Sequence, residues 1–431
     1  MFINALSSLF PKLLSLEVNG FTIDSRLVQN GDIYLPLKGD HMDGHNFIPQ
    51  AISNGASLIF SEQSPIEALT EVIYVDSTHD TLKELAMAYG EQVKCPIIGI
   101  TGSNGKTYTK ELLNHVLSTH KKTICTAGNY NSTIGLPLSM FTIEGDEDYC
   151  ILEMGASEQN EIAELCRIAK PTMGLITNIS AAHTEKFGSL ENVAIAKSDL
   201  FTCLPNNGTA FVNIDDSYIS TFSTSAKKIT YGFHSDADFN GEFENETLKI
   251  NDFEISLPYP SEIMAKNVLA IFSIANSVGI PPYEIGDLVK TFQAPPGRSA
   301  IIIHNGITII DDTYNANLES AKAGIDTLSQ YEGNRKIAII GDMFELGELA
   351  QDHHYELGEY ISELNIDILL ATGDLTQITV NAAHNVDATF FQSKDELINK
   401  LTEVTNSGDI VYVKGSRGMK MEIIIEKGLL N

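Results

Sequence analysis

Two kinds of hydrophobic pattern alternate along this chain. Short, nearly unbroken apolar runs end in Gly, Asp or Asn, and the stretches between them carry apolar residues at helical spacing. The runs read as strands buried on both faces, and the spaced stretches read as the helices that cover them. Near the start, "GDIYLPL" (31–37) and "SLIFSE" (57–62) are strand candidates, with loop chemistry in "KGDHMDGHNF" between them. "MFINALSSLFPKLLSL" suits an amphipathic first helix, and "DTLKELAMAYGEQV" (80–93) a helix leading onward. The middle of the chain offers Ile97 to Ile100, "YCILEM" (149–154), "MGLITNI" (173–179) and "TAFVN" (209–213), with helical stretches such as "NEIAELCRIAK" between. After the proline-rich "APPGRS" (294–299) come "GITIIDD", "KIAIIGD", "DILLATGD", "ATFFQ" and "DIVYVKG".

Strands alternating with helices predict an α/β fold with mostly parallel, doubly wound sheets. The length predicts two or three domains. The pattern divides into a small α/β unit over 1–80, a central mononucleotide-binding unit with a parallel sheet over 81–297, and a Rossmann-like unit over 298–431. Runs that end in Gly or Asp are expected where strand ends open into a crevice. No G-x-G-x-x-G occurs, which disfavours dinucleotide binding.

Charge narrows the list of partners. The formal net charge is −29, from 28 basic and 57 acidic side chains. Such a chain is a poor match for nucleic acid or an anionic membrane. An anionic ligand must be met by a few placed cations. The acidic surface, without a long apolar patch, points to a monomer. Five scattered cysteines without a C-x-x-C pair read as reduced thiols of a cytoplasmic protein. The start lacks a basic segment and a cleavage site, so no signal peptide is expected, and no run is long enough to span a bilayer.

The stretch "IIGITGSNGKTYTKELLNHVL" (97–117) carries the clearest chemistry. A strand, a turn of Gly102, Ser103, Asn104 and Gly105, then Lys106, Thr107 and a helix form a phosphate cradle. It departs from the strict G-x-x-x-x-G-K-[ST] pattern, since Ile100 stands where the first Gly belongs. Glycines let backbone N–H groups approach phosphate oxygens, and the helix N-terminus adds partial positive charge. Lys106 is placed for the β- and γ-phosphates and the Thr107 hydroxyl for Mg²⁺.

Other candidates have two readings from the residues alone. Glu153, at a strand end, is either a Mg²⁺ partner or a charged terminus. His183 follows the 173–179 run and reaches the same sheet edge if the strands are parallel; otherwise it is a loop residue. Lys197, on a helix, reads by default as a solvated lysine. The amides of "GNYNSTIGLPL" (128–138), Asn129 and Asn131, either bind a polar substrate or cap a turn. Arg298 either brings a guanidinium to a γ-phosphate on domain closure or pairs with an acid.

The ordered set "IDSR" (23–26), "DGHNFI" (43–48), "TGSNGKT" (101–107), "EMGAS" (153–157), "AAHTEKFGS" (181–189), "DDTYNAN" (311–317), "GDMFELGE" (341–348) and "VKGSRGMKME" (413–422) resembles the Mur ligases, ATP-dependent amide-forming enzymes of peptidoglycan precursor synthesis. The resemblance covers the whole chain. "DDTYNAN" and "GDMFELGE" favour the branch whose substrates are UDP-N-acetylmuramoyl-tripeptide and D-alanyl-D-alanine. It implies that Ser25, Arg26 and Lys38 lie near the UDP diphosphate. It implies ATP and two Mg²⁺ at Lys106, Thr107, Glu153 and His183, with Lys197 carbamylated into a carboxylate analogue. The third domain then contributes Asp312, Tyr314, Asn315 and Asn317. Asn267 matches the second of two adenine-side asparagines, while Met264 stands in place of the first. Ser132 and Glu158 also depart from the family pattern.

The implied chemistry is activation of a carboxylate as an acyl phosphate, with Lys106 and Arg298 offsetting the repulsion between two anions. Another Mur ligase or a folylpolyglutamate synthetase-like ligase shares the cradle, and a nucleotide-gated binding protein is the reading from another class. "IDSR…DGHNFI" argues against the folate branch.

Overall fold

A computed structural model describes residues 2–13, 16–63, 70–181, 184–233 and 236–430. Three sheets follow one another along the chain, of four, nine and six strands.

The first sheet pairs Phe21–Thr22, Ile33–Tyr34, Leu58–Ser61 and Glu71–Tyr74 in parallel. The run at 31–37 yields only Ile33–Tyr34 as strand. Leu35 still donates to the Thr22 carbonyl, but Pro36 has no N–H with which to continue. The helix Thr78–Gly90 is N-capped by Ser77, whose Oγ accepts from Asp80 N. It buries Leu82 and Leu85 against this first sheet, and Ala86 and Tyr89 against the next. Phe2, Phe21, Tyr89 and Phe141 join the two units in one aromatic cluster.

In the central sheet, Ile97–Thr101 lies between Tyr149–Glu153 and Met173–Ile176, all parallel. Its alternate residues part to the two faces. Ile98 and Ile100 meet Leu112, Leu113 and Val116 of the helix Lys106–Leu117, while Ile97 faces the helices Glu161–Ala169 and Leu190–Thr202. Thr209–Asn213 and Lys227–Gly232 extend the sheet in parallel. Three further strands, Phe239–Glu244, Thr247–Ile250 and Phe253–Ser256, end it as an antiparallel meander. The sequence reading did not foresee this meander. Only one of its faces is buried, by Leu248, Ile250 and Ile255, so no unbroken apolar run marks it.

The third sheet runs Ala300–His304, Ile307–Asp312, Ile410–Lys414, Lys336–Gly341, Ile368–Thr372 and Asp387–Phe391. The first strand is an antiparallel edge and the rest are parallel. Asp342, at the end of Lys336–Gly341, is buried and ties down the adjacent crossover. Its carboxylate accepts N–H bonds from Asp374 at 2.6 Å, Leu375 at 3.0 Å and Thr376 at 3.0 Å, at the start of the helix Thr376–Ala382. No helix among the described residues is long and apolar enough to cross a membrane.

Hydrogen bonds to a charged acceptor contribute about 1.5–3 kcal/mol each. Asp342→Ala removes a shared acceptor for three donors, so a loss of about 3 kcal/mol or more is expected. It would appear as a lower guanidinium midpoint for the variant; an unchanged midpoint would show that the crossover does not depend on this carboxylate.

Candidate active site

The phosphate cradle is a backbone loop held in shape by its neighbour. Gly102 has φ +147° and Gly105 φ +79°, both outside the range that side chains tolerate easily. A Cβ on Gly102 would lie 1.9 Å from Thr177 Oγ1. Residues 177–180 then bind the loop directly. Ser103 N donates to Asn178 O at 2.9 Å, Asn104 N to Asn178 Oδ1 at 3.0 Å, and Thr177 Oγ1 to Asn104 O at 2.7 Å. Asn104 Nδ2 donates to Ser180 Oγ at 2.9 Å. Lys106 folds back over the loop and donates to Gly102 O at 2.7 Å and Ser103 O at 3.1 Å. The Thr107 side chain is buried at the start of the helix.

A cavity of about 410 Å³ opens beside this loop. Ser103, Asn104, Gly105, Lys106, Thr107, Asn129, Asn131, Glu153 and Asn267 line it from the central unit, and Arg298, Asp312, Tyr314, Asn315 and Asn317 from the third. Glu153 is 1% exposed at its strand end. Its Oε1 accepts from Asn131 Nδ2 at 2.6 Å, and its Oε2 is buried with no hydrogen-bond partner among the described residues. A buried carboxylate oxygen without a donor is costly unless a cation meets it, and the donor set fits a hard divalent ion.

Lys197 overturns its solvated default. It is 2% exposed on the helix Leu190–Thr202. Burial first, and the nearby Lys106 second, hold its ammonium well below the usual lysine range, against an opposing pull from Glu161. The amine is therefore held toward its neutral form. Burial also pushes Lys106 down to about 8, with Glu153 raising it and Arg298 lowering it.

The Arg298 guanidinium carbon lies over the Tyr314 ring, 3.5 Å from its centre. Burial lowers its pKa, while Glu153, Tyr314 and Asp312 favour its charge. Asp312 is engaged by Lys414 and, at 3.1 Å, by the Tyr412 hydroxyl. Asn317 caps the helix Leu318–Gln330 and also donates from Nδ2 to Asn104 Oδ1 at 2.8 Å, linking the third unit to the phosphate loop. Asn315 accepts from Ala316 N. Asn267 sits against Gly105 and accepts from Thr109 Oγ1 at 3.3 Å; Met264 is buried at the cavity wall.

Not every candidate reaches this cavity. Ser25 donates to Gln50 Oε1 at 2.7 Å, Arg26 pairs with Asp24 at 2.6 Å, and Lys38 lies opposite Asp43, all in the first unit. His183 lies outside the described residues. Gly102 shapes the loop without lining the cavity. Sequence reasoning missed Asn178 and Ser180, although Asn178 lies within the strand candidate 173–179 and Ser180 directly follows it. It also missed Lys110. That side chain is fully buried and donates to Thr126 O and Gly128 O, beneath the segment that presents Asn129 and Asn131.

Comparison with known proteins agrees with this geometry. Three domain profiles match in order: "Mur ligase family, catalytic domain" over 17–93, "Mur ligase middle domain" over 100–275, and "Mur ligase, glutamate ligase domain" over 297–417. The UDP-N-acetylmuramoyl-tripeptide–D-alanyl-D-alanine ligase of Synechocystis is 32% identical, over 96% of this chain and 92% of its own. This chain belongs to the Mur ligase family. The Bacillus subtilis enzyme of the same name is also 32% identical, over 96% of this chain and 94% of its own. The crystal structure of MurF from Acinetobacter baumannii superposes with a TM-score of 0.87 at 30% identity, covering 95% of this chain and 93% of that one. MurF ligase from Thermotoga maritima, solved with ADP, gives 0.84 at 27% identity, covering 96% of this chain and 97% of that one. The three-domain Mur ligase fold and an α/β ligase architecture are thereby shared.

The lowered pKa of Lys106 predicts that an anion held by its ammonium would bind in a pH-dependent way. Between about 8 and the ordinary 10.5, the folded chain holds Lys106 less protonated than the unfolded chain does. Its destabilising contribution is full below pH 8 and is relieved as pH rises through that window. An anionic phosphate restores the charge, so binding above pH 8 takes up a proton. Nucleotide affinity is expected to fall by up to about tenfold per pH unit there. Calorimetry above pH 8 in two buffers of different ionisation enthalpy reads this uptake, and identical heats would refute it.

Proposed function

We propose that this ligase joins D-alanyl-D-alanine to UDP-N-acetylmuramoyl-tripeptide, with ATP as the phosphoryl donor. The observation that carries the reading is the meeting of Lys106, Glu153 and Arg298, from two units of the chain, in one cavity beside a phosphate loop. The names of the relatives point to the same pair of substrates.

The tripeptide's terminal carboxylate attacks the γ-phosphorus of ATP; the bond from that phosphorus to the β–γ bridging oxygen breaks, ADP leaves, and an acyl phosphate forms. Lys106 and Arg298 hold the phosphate oxygens and offset the repulsion between the two anions. Arg298 is held against the Tyr314 ring, which restrains its guanidinium. The amine of D-alanyl-D-alanine then attacks the acyl carbon, and phosphate leaves from the tetrahedral intermediate. Asn129, Asn131, Tyr314 and Asn315 line the same cavity, and we assign them to orienting the two peptides. Asn267 lies on the adenine side. Asn317 and Asn104 hold the third unit over the loop, which keeps water from the acyl phosphate.

Thr107, Glu153, Lys197 and His183 are the residues we assign to two Mg²⁺, which would supply Lewis-acid stabilisation of the transferring group. The neutral amine of Lys197 fits this assignment, because only an unprotonated amine adds to CO₂ to give a carbamate. Ser25, Arg26 and Lys38 are assigned to the UDP diphosphate. The domain divisions proposed are 1–80, 81–297 and 298–431, in a monomeric cytoplasmic enzyme.

The test is phosphate release from ATP with Mg²⁺, with each peptide substrate alone and with both, following products by mass. Release that requires both, with a product equal to their sum less water, is the expected result; release with neither would mean an ATPase or switch. Lys197→Ala is expected to lower kcat by at least about a hundredfold. ¹³C-labelled bicarbonate should give a carbamate resonance in the wild-type protein that this variant lacks. A resonance that survives in the variant would place the carbamate elsewhere.

A further inference from the structure

A second chemical feature lies at the opposite end of the central sheet, at the roots of the strands. Cys95 precedes the strand Ile97–Thr101, and Cys150 is the second residue of Tyr149–Glu153. The two sulfurs are 3.1 Å apart. Cys150 is buried, while Cys95 is partly exposed and borders a separate hollow of about 510 Å³. The nearby Glu147 carboxylate is engaged by the backbone N–H groups of Glu144 and Gly145, which leaves the sulfurs to each other.

We propose that Cys95 and Cys150 form a reversible disulfide, a modification site distinct from the ligase cavity. The oxidant is a hydroperoxide that enters through the hollow. It transfers one oxygen atom to Cys95 Sγ, giving a sulfenic acid and an alcohol, or water when the oxidant is hydrogen peroxide. Cys150 Sγ attacks that sulfur; the S–O bond breaks, the S–S bond forms, and the hydroxide leaves as water with the Cys150 proton. Two thiols and one hydroperoxide thus give one disulfide, water and the reduced oxidant. Two equivalents of a small thiol reverse it.

Geometry sets the pairing and burial sets the rate. Burial pushes both thiols up, and Glu147 opposes thiolate formation at each. Reaction at neutral pH is therefore slow, and closure after the first step is fast because the resolving sulfur is already in contact. The bond would tie together the roots of two strands, one ending in the phosphate loop and the other in Glu153. The chain contains its own competitor. Cys203 is exposed, and contact with Cys166 pushes its thiol down to about 7, so it meets oxidant more readily.

The test is non-reducing peptide mapping of the full-length protein after graded hydrogen peroxide, with free thiols alkylated. The expected result is a Cys95–Cys150 cross-linked peptide that a small thiol abolishes, formed equally in Cys203→Ser and absent from Cys95→Ser. If Cys95→Ser does not fold, the map of the wild-type protein decides alone. Separately alkylated Cys95 and Cys150 peptides after prolonged oxidation, well beyond the level that fully modifies Cys203, would overturn the proposal. So would a Cys166–Cys203 link in their place.

Discussion

The cavity depends on one backbone constraint, the clamping of residues 102–107 onto residues 177–180. The loop cannot relax toward the sheet, because Gly102 already rests on Thr177 and a single added carbon would collide with its hydroxyl. It cannot lift away without losing the contacts that Ser103 and Asn104 make with Asn178 and Ser180. With the N–H groups of Ser103 and Asn104 held by Asn178 and the Lys106 ammonium folded onto two loop carbonyls, the loop keeps its shape before any ligand arrives. Preorganised donors cost little reorganisation when charge develops, and this is the main source of catalytic power in phosphoryl transfer.

Around that clamp the protein accepts electrostatic cost. Lys106, Lys197 and Arg298 are each held away from full solvation, and one oxygen of Glu153 has no hydrogen-bond partner among the described residues. A core built only for stability would replace such groups with packed hydrocarbon. The strain is concentrated where an anionic substrate and cations would relieve it. Lys110 shows the contrasting case of a buried lysine whose donors are met within the protein, by two backbone carbonyls and the Glu111 carboxylate.

Most of the fold was legible because parallel strands buried on both faces leave unbroken apolar runs. The meander at 239–256 was not, since a sheet with one wet face halves its apolar content and resembles loop. The cradle was legible from its glycines, and Glu153 from its place at a strand end. Lys197 was illegible from periodicity, because a lysine on a helix carries no mark of which face it occupies; only the family resemblance singled it out. Asp342 was noticed as part of "GDMFELGE", and its carboxylate proved to be tied to the crossover at 374–376. Motifs record constraint, and constraint arises from architecture as readily as from chemistry.

The helix Thr78–Gly90 has a mechanical consequence. Its two apolar faces belong to two different cores, and the Phe2–Phe21–Tyr89–Phe141 cluster crosses the same seam. Separating the first two units would mean opening continuous hydrocarbon. The third unit is joined to the second by the 294–299 crossing and by small contacts, among them Asn317 with Asn104, Ser261 with Thr327 and the stacked rings of Tyr259 and Tyr331. The first two units are thus joined as one body by shared hydrocarbon, and the third is held against it by smaller contacts.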